Sequence, residues 1–169
     1  LIWGCVFCAI AAICIFLSSN YDREKRRYLI LMESFASMLL LMDAMAHIFI
    51  GYPGVPGSVM VRISSFLVFL LSDVVLLCFH IYVCVYLFSK RERRTLKRVK
   101  AGYVIAAAGV AFVVISQFTH WYYYIDGDNY YHRAPLYIMS ILLPAAGLLI
   151  DLTLLLQYKK RVSRKLLFS

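Results

Sequence analysis

Four stretches of this chain, residues 28–50, 59–88, 101–118 and 136–157, are long and overwhelmingly apolar. Roughly 20 helical residues cross a hydrocarbon core of about 30 Å, so each stretch is long enough to span a bilayer. A fifth, residues 1–18, lies at the short end of that range and carries no charge. Composition agrees: 63% of the 169 residues are hydrophobic and 16% charged, against about 45–50% and 25% in ordinary soluble domains. These figures exclude a soluble globular domain and a disordered chain, and 8 Gly with 4 Pro exclude a collagen-like one. The expected fold is all-α, a polytopic transmembrane bundle of five helices.

The net charge of +9 invites a nucleic-acid reading until the charges are placed. Sixteen of the 18 basic residues fall in three short segments, 22–27, 90–100 and 159–165, where only Asp22, Glu24 and Glu92 oppose them. Those segments total +13 and the rest of the chain −4. They alternate with segments 51–58 and 119–135, which are nearly free of basic residues, and this is the positive-inside pattern. It predicts an outer N-terminus, a cytoplasmic C-terminus, a plasma-membrane location and basic loops resting on anionic lipid headgroups. The partners it implies are membrane lipids, not nucleic acid.

The chain reads as a fragment truncated at both ends, since it opens on Leu1 inside an apolar helix without a flank. Residues 1–18 lack the basic leader and small-residue cleavage site of a signal peptide. Cys5, Cys8, Cys14, Cys78 and Cys84 all lie in apolar stretches, where they read as small packing groups rather than a disulfide framework.

Seven residues inside the apolar stretches need an account: Glu33, Asp43, His47, Arg62, Asp73, His80 and Asp151. An ionised side chain at the bilayer centre costs about 2.5–3.5 kcal/mol on insertion scales, so each tends to have a partner or a task. Asp43 and His47, four apart, share one helix face. Arg62, Asp73 and His80 recur at offsets that return to within about 20° of one direction, making one face of the third helix polar along its length. With a rise of about 1.5 Å per residue, Asp43 lies about 10 Å and Arg62 about 4 Å below the outer surface. Arg62, pointing inward, is therefore expected to join Asp43 and His47 in an outer polar cluster, as a helix pin or as part of a sensor. Glu33 and His80 are expected at a common inner depth. Asp73 and Asp151 are expected together at about 21–24 Å, where two acids invite a shared proton or a further partner. Helix packing, a signalling switch and an ion path all remain open for that pair.

The outer segment 120–135 reads HWYYYIDGDNYYHRAP. Trp121 and its tyrosines suit an aromatic belt at headgroup level. The Asp126 to Asn129 turn set between two β-favouring runs also predicts a small outer hairpin, with Trp121, Asp126, Asp128, Tyr131 and Arg133 as its candidate cap residues. Asp126 and Asp128 lack the further ligands of a calcium loop. No Lys lies inside a helix to carry a retinal Schiff base, His47 and His120 read as interface residues rather than haem ligands, and no catalytic motif is present. No cofactor, metal or catalytic residue is expected in this fragment.

The order of features resembles the N-terminal multi-pass region of membrane-bound signalling proteins of gut Firmicutes, where it precedes a GGDEF diguanylate cyclase or a histidine kinase domain. The resemblance is carried by Asp43 followed by Gly51, by Arg62-Ile63-Ser64-Ser65-Phe66 with Phe69, by Tyr82 or Tyr86, and above all by residues 125–137. Ala134 stands where that family usually has Gly after Tyr-x-Arg. The resemblance implies a sensory input region that passes a stimulus to a cytoplasmic output domain outside this fragment, through which a homodimer would form. It implies no ligand. A small transporter or channel component is the alternative, favoured by the polar third helix, and a structural subunit comes third.

Overall fold

The structure, a computed structural model, describes residues 1–18 and 22–159. The basic residues expected at Lys160, Arg161, Arg164 and Lys165 lie outside the described residues. The chain forms α1 (Ile2–Leu17), α2 (Arg23–Phe49), α3 (Gly54–Leu87), α4 (Lys90–Thr95), α5 (Lys97–Thr119), β1 (Tyr123–Ile125), β2 (Tyr131–Arg133) and α6 (Met139–Gln157). Four of these, α2, α3, α5 and α6, are long and apolar enough to cross a membrane, whereas α1 has 16 residues.

The expected loop 51–58 shrinks to a tight turn because α3 begins at Gly54, five residues earlier than the hydropathy suggested. Gly51 and Gly54 adopt φ of +70° and +83°, which side-chain-bearing residues rarely enter. Pro56 sits in the first helical turn, where its missing N–H has no intrahelical partner to lose. At the other end Ser89 and Glu92 form a capping box, each accepting from the other's backbone N–H, and start α4 inside the segment expected to be a loop.

Packing proceeds sideways. α1 lies on α2, α2 on α3, and α3 packs with α5 and α6, which also touch each other. Ser37 on α2 donates to the Cys5 carbonyl of α1 at 3.0 Å. The three-helix contact of α3, α5 and α6 holds most of the buried residues, and its partners are set by small residues. On α5 the buried positions Val99, Gly102, Ala106, Gly109, Val113 and Ser116 recur at alternating steps of three and four, the seam of a coiled coil. Small residues on such a seam let helix backbones approach closely, which is how apolar helices associate where no hydrophobic driving force is available.

Two apolar clusters close the ends of this contact. Val83, Cys84, Leu87, Phe88, Val99 and Leu154 pack at the end that carries the basic segments, here the basic end. Val113, Tyr122 and Tyr123 pack with Phe66, Phe69 and Met139 at the other, the hairpin end. The outer surface of the bundle is apolar, with Trp3, Phe7, Phe16, Phe118, Leu149 and Leu156 all more than 60% exposed or nearly so. β1 and β2 pair antiparallel, Tyr124 opposite His132, as the turn chemistry predicted.

Candidate functional site

Along α3, Asp73 and His80 both face α5, and each meets a glycine there. A Cβ on Gly109 would fall 2.7 Å from Asp73 Oδ1, and one on Gly102 would overlap the His80 ring. The seven-residue spacing of the polar residues thus matches the seven-residue spacing of the glycines, read antiparallel. Arg62 completes the same face: it lines a small cavity with Ser116, Gln117 and His120 at the end of α5. The shared face expected from the spacing is therefore present. The expected cluster of Arg62 with Asp43 and His47 is not found among the described residues: Arg62 lines the cavity at the end of α5, whereas those two lie on α2 and line another with Ser65, Val68 and Phe69 of α3. A helix cannot direct Arg62 to α2 while Asp73 and His80, in nearly the same angular position, face α5.

His80 and Asp151 form the most deeply buried polar contact. Nδ1 lies 2.6 Å from Asp151 Oδ1, with the two side chains 3% and 1% exposed. Nε2 lies 3.0 Å from the Val99 carbonyl, which can only accept, so Nε2 carries a proton. A single further proton then lies between Nδ1 and Oδ1, and the pair is net neutral whichever atom holds it. Among the described residues, Asp151 Oδ2 has no hydrogen-bond partner. This contact joins α3, α5 and α6 at one point.

The pairing corrects one depth expectation. Asp151 meets His80 rather than Asp73, while Glu33 lies against Cys8 of α1. The helices do not start from one outer plane. Met139, the first residue of α6, packs at the level of Phe69 and Leu70 of α3, so α6 begins well below the start of α3. Twelve residues further along two parallel helices, Asp151 falls beside residues 81–82, within reach of His80.

Asp73 has a different environment. Its side chain is buried, the residue being 5% exposed, and no hydrogen bond or ion pair to it is found among the described residues. It lines a cavity of about 220 Å³ with Phe69, Tyr122, Tyr137, Ser140 and Pro144. Burial, reinforced by the Asp73 carboxylate, pushes the Tyr122 phenol up to about 12, so that hydroxyl stays a neutral donor.

Val68, Phe69 and Tyr137 also line a second, larger cavity of about 400 Å³, which therefore adjoins the first. Its walls include Asp43 and His47 of α2 and Tyr131 and Arg133 of β2. His47 Nδ1 lies 2.8 Å from the Asp43 carbonyl and 3.6 Å from its carboxylate, so the expected i, i+4 neighbours do meet. Arg133 lies over the Tyr137 ring at 4.7 Å. Tyr131 stacks on Tyr123 at 5.4 Å, and burial raises its phenol further from ionisation.

The hairpin that roofs these cavities is held at several points. Asp126 Oδ1 accepts from the backbone N–H groups of Asp128 and Tyr130, and Oδ2 lies 2.7 Å from His132 Nε2. The His132 contact, aided by those N–H bonds, holds the Asp126 carboxyl below its usual range. Asn129 Nδ2 donates to the Tyr52 carbonyl at 2.9 Å, and Gly51 N–H donates to the Asn129 carbonyl. The hairpin tip is thereby tied to the α2–α3 turn. At its base Ser116 Oγ accepts from Tyr122 N–H, and the Trp121 carbonyl accepts from Leu136 N–H. Trp121 itself packs against Phe112. Asp128 stays exposed, its N–H serving the turn.

Compared with known protein families, with characterised proteins and with solved structures, the chain matches none.

Proposed function

We propose that this chain is a membrane-embedded sensory input region, with the hairpin end outside the cell and the basic end in the cytoplasm. The observation that carries the reading is the pair of adjoining cavities under the hairpin, which run from Arg133, Asp43 and His47 to the buried Asp73 carboxylate. A small ligand bound there touches α2, α3, α6 and the hairpin together. It can therefore favour one packing of these helices over another by its difference in affinity for the two. Below the cavities the same helix α3 enters the His80–Asp151 contact and then the apolar cluster at the basic end, so a shift of α3 is passed to α4 and α5. The sequence resemblance supplies the output: a diguanylate cyclase or histidine kinase domain following the basic end, which would also bring two copies together.

The apolar girdle of the bundle supports membrane embedding, since soluble monomers rarely expose contiguous apolar patches of this extent. The closed apolar cluster at the basic end favours sensing over transport, because a transport path would have to open through it.

Reading the gene past the codon for Ser169 and assaying the whole product in membrane vesicles tests the proposal. Cyclic dinucleotide made from GTP, or phosphate transferred from ATP, is the expected output, and Asp73→Asn should change it several-fold while leaving insertion intact. Ion flux through the chain reconstituted in liposomes, with no encoded output domain, would overturn sensing in favour of the transport alternative.

A further inference from the structure

Asp73 is a buried charged station on the polar face of α3 for which no countercharge is found among the described residues. His80, two turns further along, is engaged by Asp151 and the Val99 carbonyl. Arg62 lines a different cavity, with Ser116 and His120, and Arg133 lies over Tyr137 in the larger one. A carboxyl removed from water without a partner takes up a proton unless a cation meets it.

The walls around it have a consistent chemistry. Phe69, Tyr122 and Tyr137 present aromatic surface to the same cavity, and ring faces attract cations. Phe69 is the hub, with ring centroids 5.8 Å from Tyr122 and 6.2 Å from Tyr137. Pro144 has no N–H, so the Ser140 carbonyl lacks its helical donor, and both residues line the cavity. A carboxylate, a carbonyl acceptor and aromatic walls suit a group that carries several N–H donors on an apolar body. They do not suit a bare inorganic cation, which takes about six or more oxygen ligands at 2.0–2.6 Å. The volume of about 220 Å³ is that of a few water molecules, enough for a small organic ion.

We propose that the Asp73 cavity binds a small protonated amine, with the ammonium on Asp73 and its apolar body among Phe69, Tyr122 and Tyr137. The inference rests on reading these cavities as the input site, and names the ligand class that site takes. The larger adjoining cavity is the approach from the hairpin end.

Calorimetric titration of the full chain in lipid nanodiscs with phenethylammonium chloride tests it. 2-Phenylethanol serves as the neutral analogue of equal size, and sodium chloride at matched ionic strength as the inorganic control. Saturable binding of the ammonium alone is expected, weakened at least about tenfold by Asp73→Asn, in line with the loss of a charged hydrogen bond. Tyr137→Leu, which leaves Asp73 in place, should weaken it several-fold and guards against a misfolded Asn variant. The proposal is overturned if no saturable ammonium binding occurs, if 2-phenylethanol or sodium binds equally well, or if both variants bind like the parent. Amine binding without any change in output would leave the site standing and remove the sensory reading. Output that responds to Asp73→Asn without amine binding would do the reverse.

Discussion

His80 and Asp73 occupy the same face of one helix, seven residues apart, and each nests on a glycine of α5. One is bonded at both ring nitrogens and closed in by apolar side chains. The other faces a cavity with no partner among the described residues. The same backbone device therefore yields a fixed junction at one level and an adaptable pocket at the next. What separates them is α6: it brings Asp151 to His80, but at the level of Asp73 it brings Ser140 and Pro144.

The largest effect should come from breaking the junction. Asp151→Ala leaves His80 buried without its partner, for which about 3–5 kcal/mol is typical. Asp151→Asn can still donate to Nδ1 of a neutral His80, whose Nε2 proton stays on Val99, and should recover most of that loss. Thermal unfolding in detergent micelles ranks the two, and equal losses would show that the carboxylate with its shared proton, rather than shape, holds the junction.

A smaller effect should sharpen the contrast. Gly102→Ala drives a methyl into a ring fixed on both sides, and overpacking of this kind costs about 1–3 kcal/mol. Gly109→Ala meets the Asp73 carboxylate at 2.7 Å, yet that side chain has an open cavity into which to turn. Gly109→Ala should therefore destabilise clearly less than Gly102→Ala. The reverse order in the same unfolding assay would mean that Asp73 is held as firmly as His80.

Much of this architecture was legible before any coordinates. The four long helices followed from hydropathy, and the hairpin from Asp-Gly-Asp-Asn between aromatic runs, because both are local signals. The common face of Arg62, Asp73 and His80 was legible too, and taken seriously it already forbade Arg62 from joining Asp43. Two further local signals are present in the sequence: Ser89 with Glu92 three residues later starts α4, and the Gly102, Ala106, Gly109 spacing marks the side of α5 that receives α3. The partner of Asp151 was beyond sequence reasoning. It depends on how far α6 is set down beside α3, with Met139 at the level of Phe69, and no local pattern encodes that.

The smallest predicted effect lies in the roof over the pocket. Asp126 titrates below its unfolded value of about 3.9. The stabilisation it gives the hairpin is therefore complete above that value and is lost as pH falls through the lower folded one. Amide exchange of Tyr130 and Asp128 should quicken relative to the rest of the molecule across that window, and Asp126→Asn should abolish the dependence. A pH-independent hairpin in the parent protein would assign its order to the Asn129 ties alone.

The set-down of α6 also has a consequence for solutes. α5 and α6, of 23 and 19 residues, are about 35 Å and 29 Å long, close to one hydrocarbon thickness. α3, with 34 residues, extends to about 51 Å, so the α2–α3 pair stands above the other two as a step, and the hairpin rests on its tread. A bilayer fitted to α5 and α6 would put the mouth of the larger cavity at headgroup height. A charged solute would then shed its hydration in stages against Asp43, His47 and Arg133, without first dissolving in lipid.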